Sequence, residues 1–245
     1  MKRILIALCF IPFILFASGN QDNLLGFPGP TTAGGGITFD AKSGTSGSAV
    51  SVLTAGLTVA EGSNKILIAL IIAEDGTDAE MVPLTMTWNT TESFTASVVQ
   101  LDTGDKAMVY YLLNPTATTS DVICTFSGVI DSCAMGVASF QGVAQTTPDN
   151  TATASPGAAT AGTISITPVA NNCLVVMGTN KRTATGSITA YGSPAVEIST
   201  QDVTNCDLGS SYDILVGGAG VSRAMTWTQG SSANETVAAT FAPAQ

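Results

Sequence analysis

The amino-acid sequence predicts an all-β fold, an antiparallel β-sandwich of eight to ten strands. Only 11% of the 245 residues are charged, and small or β-branched residues such as Gly, Ser, Thr, Ala and Val dominate, which suits short strands joined by tight turns. No window carries a sustained apolar stripe of 3.6-residue period, the mark of an amphipathic helix. Apolar, β-branched runs instead alternate with turn-forming residues, as they do in sheet proteins.

The first 19 residues have the pattern of a secretory signal. Lys2 and Arg3 precede an apolar segment at 4–16, and the small residues 17–19 suit cleavage. A retained membrane anchor is the alternative, but the apolar run is shorter than the roughly 18 to 20 residues that a spanning helix needs. We therefore expect a secreted or cell-surface protein with no stable membrane insertion after cleavage.

Residues 20–36, rich in Gly, Pro, Thr and Asn, are typical of a flexible linker or arm. The remaining chain, 37–245, is expected to form one domain. Its first strand is predicted at 37–39 and ends at Asp40, and a loop follows at 42–47. The first half is then expected to contain strands at 48–59, 65–73, 82–88 and 94–101.

The apolar run ILIALIIA, within 65–73, indicates a strand that is buried on both faces. Three further strands are predicted at 108–113, 122–126 and 134–140. Between the last two, the segment Ser127-Gly128-Val129-Ile130 has the composition of a turn. This region is therefore expected to be a run of antiparallel hairpins.

The chain also indicates an internal repeat of two four-strand units, at about 64–142 and 172–243. Asn64 before KILIALIIA matches Asn172 before CLVVMG. Three aromatic positions also recur 101 residues later, as Tyr111 and Tyr212, Phe126 and Trp227, and Phe140 and Phe241. Chance similarity among β-strands is the alternative. The repeat predicts that the two halves form a single sandwich.

Four cysteines remain after the signal, and an even number in an exported chain predicts disulfides. Cys124 and Cys133 flank the predicted turn symmetrically, so a bond between them is expected. That leaves Cys173 to pair with Cys206. Four reduced, buried thiols are the alternative.

The residue content argues against two classes of function. A net charge of -10 with eight basic residues does not suit phosphate binding, so no nucleic-acid partner is expected. The chain has no histidine, which removes the commonest general base. Its carboxylates fall mostly in turn-like segments, and we predict no catalytic residue. A glycosidase using paired carboxylates stays as the least favoured alternative.

The candidate binding residues are two tyrosines and one acidic loop. Tyr110 is out of phase with the core positions of its strand and Tyr191 lies at a turn, so either ring is a candidate platform for a sugar. The acidic loop could supply calcium ligands, and calcium is the one cofactor considered. Its spacing does not match an EF-hand, which favours a solvated loop as the alternative. The loop's carboxylates are Glu74, Asp75, Asp78 and Glu80.

The order of these segments resembles a β-sandwich module of exported bacterial and phage-related proteins, over most of the span from Asp40 to Ala244. The resemblance is carried by GSNKILIAL, MTW, AMVYYLLNPTATTSDVICTFSG, AMGVASFQGVAQTTP and VAATFAPA. The chain departs from the pattern of these modules where Tyr110 replaces Trp, where Ala144 replaces Asp, and where Trp88-Asn89-Thr90 replaces Tyr-Gly-Gly. The resemblance implies a jelly-roll-like fold, without an established activity to assign to particular residues.

Two functions are therefore expected. The first is a non-catalytic extracellular module that binds a glycan or a cell-surface protein. The alternative is a structural subunit of an envelope, filament or virion, whose partners are copies of itself. The first predicts an exposed aromatic or polar groove, and the second predicts an exposed apolar patch or an unpaired strand edge.

Overall fold

The computed structural model describes residues 36–76, 80–102, 104–182 and 188–245. The predicted signal at 1–19, and all but the last residue of the predicted arm at 20–36, lie outside these ranges. The strands are β1 (Thr38–Thr58), β2 (Ile66–Glu74), β3 (Thr85–Trp88), β4 (Glu92–Ser93), β5 (Thr95–Asp102), β6 (Asp105–Leu113), β7 (Thr119–Gln141), β8 (Asn150–Ala154), β9 (Ala159–Ile166), β10 (Leu174–Arg182), β11 (Ala190–Tyr191), β12 (Val196–Asp202), β13 (Cys206–Ile214), β14 (Arg223–Ser232) and β15 (Asn234–Phe241).

The predicted all-β, antiparallel sandwich class is confirmed: every pair of neighbouring strands within the described ranges is antiparallel. The fifteen strands exceed the eight to ten that were expected, partly because several have only two to five residues. Nothing in the described part of the chain is a helix of the length and apolarity that a membrane span requires.

Two long strands shape the first half of the fold. β7 has 23 residues, and β1, with 21, pairs with it along nearly its whole length. The first part of β7 pairs with β3 and the last part with β2. The hairpin predicted at 127–130 is therefore wrong, because the chain continues there as one strand. The loop predicted at 42–47 is also strand, since pairing with β7 satisfies the backbone of these small polar residues.

The strand order of the first half is repeated in the second. The order β5-β6-β2-β7-β1 corresponds to β12-β13-β10-β15-β8, and β3-β7-β1 corresponds to β11-β14-β9. In the second half, β8 and β9 thus take the places of the two ends of β1, and β15 and β14 take the places of the two ends of β7. We call 38–141 the first unit and 150–241 the second unit. Each unit contains a five-stranded and a three-stranded part, more than the four strands that the repeat predicted.

Local backbone features recur at matching places in the two units. Asn64 and Asn172, just before the central strands, have φ of 54° and 58°, the left-handed region that Asn tolerates better than most residues. The pairing of β5 with β6 has an irregularity between Ala96 and Val98, and that of β12 with β13 has one between Glu197 and Ser199. The repeat therefore extends to the register of individual residues.

The apolar side chains form three cores rather than the single core of one shared sandwich. On β2, Ile66 and Ile68 point to a core between the two five-stranded parts, whereas Leu67 and Ala69 point to the core inside the first unit. The second unit has its own inner core around Trp227. Each unit is thus a sandwich of the jelly-roll type. β2 and β10 are apolar at almost every position because both of their faces are covered.

Aromatic rings link the two units in a reciprocal arrangement. The rings of Tyr111 and Phe241 lie 5.7 Å apart, and those of Phe140 and Tyr212 lie 5.0 Å apart, both edge to face. Tyr111 matches Tyr212 in the repeat, and Phe140 matches Phe241. Each unit therefore contributes the same two rings to the shared core, as expected for a pseudo-two-fold axis between the units.

Candidate ligand-binding cleft

The core between the units becomes polar at one end. β2 and β6 bring Glu74 and Asp105 together there, as register partners. From the second unit, Asn180 and Arg182 follow the apolar residues of β10, and Glu235 pairs with Asn180 across β15. In each strand, side chains alternate between the two faces of the sheet, and all five residues occupy positions on the face that is turned toward the other unit. The result is a cluster of charged side chains to which both units contribute.

Arg182 and Asn180 organise this cluster. The guanidinium of Arg182 pairs through Nε with the carboxylate of Asp105, and its Nη1 lies 3.7 Å from Oδ2 of Asp102. Asn180 donates through Nδ2 to Oδ1 of Asp105 at 3.4 Å and to the carbonyl oxygen of Lys106 at 3.3 Å. Asn180 is fully buried, so it joins the second unit to β6 in a place closed to water.

Three buried acceptors in the cluster have no hydrogen-bond partner among the described residues: Oε2 of Glu74, Oδ2 of Asp105 and Oδ1 of Asn180. Of these, Oδ2 of Asp105 forms the ion pair with Arg182. A buried polar atom without a partner costs about 1–3 kcal/mol, and such atoms are few in native structures. Because Asn180 is fully enclosed, the Glu74 oxygen is the acceptor of this set that a group entering the cluster could use.

Burial and crowding of negative charge alter the titration of the cluster. Burial is the main cause that raises the pKa of Asp105 to about 6; the Arg182 guanidinium opposes the shift, and the Glu74, Glu235 and Asp102 carboxylates add to it. Burial also raises the pKa of Glu235, against hydrogen bonds from Ser155 and Gln100. The site therefore holds more negative charge than its single guanidinium balances.

The cluster opens into a cleft of about 530 Å³, which we call the acidic cleft. Its walls come from both units and provide carboxylates, a guanidinium, a hydroxyl, an amide and two glycines. The lining residues are Glu74, Asp75, Gly76, Gly104, Asp105, Arg182, Thr204 and Asn205.

A second cleft of about 400 Å³ lies on the other side of the turn between β12 and β13. We call it the hydroxyl cleft, because Ser46, Ser48 and Thr204 line it. The hydroxyls of Ser48 and Thr204 lie 3.3 Å apart. Thr204 borders both clefts, so the two form adjoining polar depressions at one end of the molecule.

An ion pair beneath the hydroxyl cleft fixes the base of this region. Nζ of Lys181 lies 2.8 Å from Oδ2 of Asp207, and the two side chains are 0% and 4% exposed. Asp207 also lines the hydroxyl cleft. A pair so shielded from water holds β10 and β13 in register at the point where the cleft begins.

The two predicted sugar platforms are not exposed rings. Tyr110 is only 7% exposed and packs in the core of the first unit, because both faces of β6 are covered. Tyr191 is half-buried, its hydroxyl lies 3.1 Å from that of Thr200, and burial raises its pKa to about 12. Among the described residues the exposed aromatic ring is that of Phe39, which stacks on Tyr212.

The four carboxylates predicted to bind calcium are not gathered at one point within the described residues. Glu74 and Asp75 line the acidic cleft, whereas Glu80 lies against Gly128 at the bend of β7. Asp78 lies outside the described residues. In the described part of the chain, no three Cys, His, Asp or Glu side chains come together in a way that could hold a metal ion.

The predicted disulfides are corrected by the structure, in which all four cysteines are free and buried. Cys173 directly precedes β10, while Cys206 pairs with Arg182 at the far end of that strand. Nine residue steps along the strand separate them by about 30 Å, far beyond the 7 Å limit for a bridge.

Cys124 and Cys133 lie in the core of the first unit, on two parts of the continuous strand β7 rather than across a hairpin. Burial raises the pKa of the Cys133 thiol to about 12. It also raises the pKa of the Cys124 thiol, and a neighbouring Cys133 thiolate would raise it further. Neither thiol is therefore prone to ionise.

Sequence reasoning missed Asp105, Arg182 and Glu235 as site residues, because Asp105 was assigned to a turn and the other two are isolated from it in the sequence. The repeat contains a signal that could have found them. Aligning the units sets Glu74 opposite Arg182 and Asp105 opposite Cys206. Charged residues at matching positions of otherwise apolar strands indicate a polar site inside an apolar interface.

Comparison with known proteins does not assign this chain to a protein family. No protein-family model, no curated protein and no solved structure matches it.

Proposed function

We propose that the chain is an extracellular binding module that holds a glycan in the acidic cleft. The observation that carries this proposal is the composition of the cleft wall: the carboxylates of Glu74 and Asp105, the guanidinium of Arg182, the hydroxyl of Thr204 and the amide of Asn205. Sugar hydroxyls both donate and accept hydrogen bonds, so a site for them needs both kinds of partner.

The size and support of the cleft favour the same function. Its volume of about 530 Å³ lies within the range of about 300–1,000 Å³ that is common for small-molecule sites. Its charged groups lie at the ends of strands rather than on long loops, and Asp105 is held by both Asn180 and Arg182. Such rigid support lowers the entropy that ordering the site would cost on binding.

The proposal is tested by screening the chain on a glycan array and titrating the ligands found by calorimetry. We expect Arg182→Gln to weaken binding about tenfold or more, because charged hydrogen bonds contribute about 1.5–3 kcal/mol. Arg223→Gln is the matched control: Arg223 also pairs with a buried carboxylate, with 2.6 Å between Nη2 and Oδ2 of Asp213, but does not line the cleft. Equal loss in both variants, or saturable binding that neither alters, would contradict the proposal.

A self-assembling structural subunit is the second candidate. Val52, Leu84 and Val129 are 45%, 68% and 57% exposed, and all three lie near the bend of β1 and β7. A further group of exposed apolar residues, Val169, Val216 and Val221, lies on loops of the second unit. Because the two groups are not equivalent in the repeat, contact between them would be head-to-tail and would extend into a filament.

Assembly is tested by sedimentation velocity over a hundredfold range of concentration. We expect Leu84→Ser to lower the sedimentation coefficient at high concentration, while Leu101→Ser, at another exposed apolar residue of 58% exposure, leaves it unchanged. A chain that stays monomeric throughout would rule out this second function.

A further inference from the structure

The acidic cleft carries more carboxylates than cations. Glu74, Asp75 and Asp105 line it, and Asp102 and Glu235 both act on its charge. Arg182 is the cation of the cleft wall. The nearby lysines face the other side of their strands: Lys181 pairs with Asp207, and Nζ of Lys106 donates to the carbonyl oxygen of Asp102 at 2.6 Å. The cleft thus has a surplus of negative charge.

The floor of the cleft is also short of hydrogen-bond donors. Oε2 of Glu74, a residue of the cleft wall, is buried without a donor among the described residues. Glu74 and Asp105 are register partners, so this open acceptor belongs to a carboxylate next to that of Asp105, whose two oxygens already pair with Arg182 and Asn180. A ligand group that completes this site must bring both positive charge and several donors.

A protonated primary amine has both properties, with three N–H donors and one positive charge. We propose that the acidic cleft selects a glycan that carries free amino groups, with one ammonium bound by Glu74 beside Asp105. This inference rests on the proposed glycan-binding function and specifies the class of glycan. N-acetylation removes the charge and leaves one N–H, so a neutral sugar leaves buried acceptors unpaired. Sulfated or carboxylated glycans are repelled by the surplus charge.

The test compares two ligands of equal length, an oligomer of glucosamine and its fully N-acetylated form, titrated into the full chain at low salt just below neutral pH. We expect the free amine to bind about tenfold more tightly or better, the effect of a charged hydrogen bond. Glu74→Gln preserves the shape of the side chain and should abolish this preference by weakening binding of the free amine to the level of the N-acetylated form. Glu61→Gln removes the same charge from an exposed residue beyond the other end of β2 and should change neither.

The outcomes separate the inference from the function on which it rests. If both oligomers bind with equal affinity and Arg182→Gln weakens both, the glycan site stands and the selectivity for amines is wrong. If no glycan binds, the proposed function itself fails. If oligolysine binds through Glu74 and the glucosamine oligomer does not, the cleft recognises a basic protein and the inference is overturned. An unchanged melting temperature of Glu74→Gln shows that the variant is folded.

Discussion

The buried pair of Lys181 and Asp207 gives the sharpest test of how this fold is held together. Its two charged atoms lie 2.8 Å apart in side chains that are almost wholly buried. At an effective dielectric constant of about 20, unit charges at that distance attract by about 6 kcal/mol. Much of this attraction offsets the cost of burying the charges, but loss of the Asp207 charge leaves the Lys181 charge buried without the carboxylate that compensates it. Asp207→Asn should therefore lower the free energy of unfolding by about 3–5 kcal/mol.

Urea denaturation followed by tryptophan fluorescence measures this loss. Trp88 and Trp227 are both buried, one in the core of each unit, so the spectrum reports on both. With about 2–4 °C per kcal/mol for a chain of this size, the melting temperature should fall by roughly 6–20 °C. A loss below about 1 kcal/mol would refute the reasoning.

The double variant Lys181→Met with Asp207→Leu is the control for that experiment. It removes both charges and keeps apolar volume, so its free energy of unfolding should lie within about 1–2 kcal/mol of the original. A double variant as unstable as Asp207→Asn would mean that the loss arises from packing and not from an unpaired charge.

Three further predictions concern pH, thiols and packing. The pKa of Asp105 is raised from 3.8 to about 6 in the folded chain, so the folded form binds the proton more tightly than the unfolded form does. The contribution of Asp105 to the free energy of unfolding is therefore fully present below pH 3.8. It is lost, by about 3 kcal/mol, as the pH rises through 6. Denaturation across this range should show that Asp105→Asn removes this dependence. Alkylation followed by mass measurement should modify none of Cys124, Cys133, Cys173 and Cys206 when the chain is folded and all four when it is unfolded; masses lower by two hydrogens per bridge would contradict the free thiols. Gly162→Ala should lower the free energy of unfolding by about 1–3 kcal/mol, since its Cβ would overlap the indole of Trp227, whereas Gly157→Ala, in open space, should change it by less than about 0.5 kcal/mol.

The strands that were predicted well are those whose residues carry the burial signal themselves. The run at 65–73 is apolar at every position after Lys65, and β2 at Ile66–Glu74 is buried on both faces. Strands without such a signal were missed: residues 42–47 are small and polar, yet they form the middle of β1 because β7 supplies their backbone partners. Segment 127–130 has the composition of a turn, but composition does not distinguish a reversal from a bend within one strand.

The acidic cleft could not be predicted because it depends on contacts between distant parts of the chain. Glu74, Asp105 and Glu235 span more than half of the sequence and meet only when the two five-stranded parts pack face to face. Strand phase indicates which face a residue occupies, but not which strand lies opposite. The same limit explains the error over Tyr110, since its strand is covered on both faces by layers that only the packing of the units creates.

The asymmetry between the units is the strongest reason to assign a function to this end of the molecule. Matching positions carry Glu74 in the first unit and Arg182 in the second, and Ala134 in the first and Glu235 in the second. At the aromatic positions of the same interface the two units are alike, since each contributes one Tyr and one Phe to the reciprocal pairs. Stability alone would favour apolar residues at both copies of these positions, because burying charge is costly. The first unit contributes Glu74 and Asp105 and the second contributes Arg182, so neither unit forms the cleft alone.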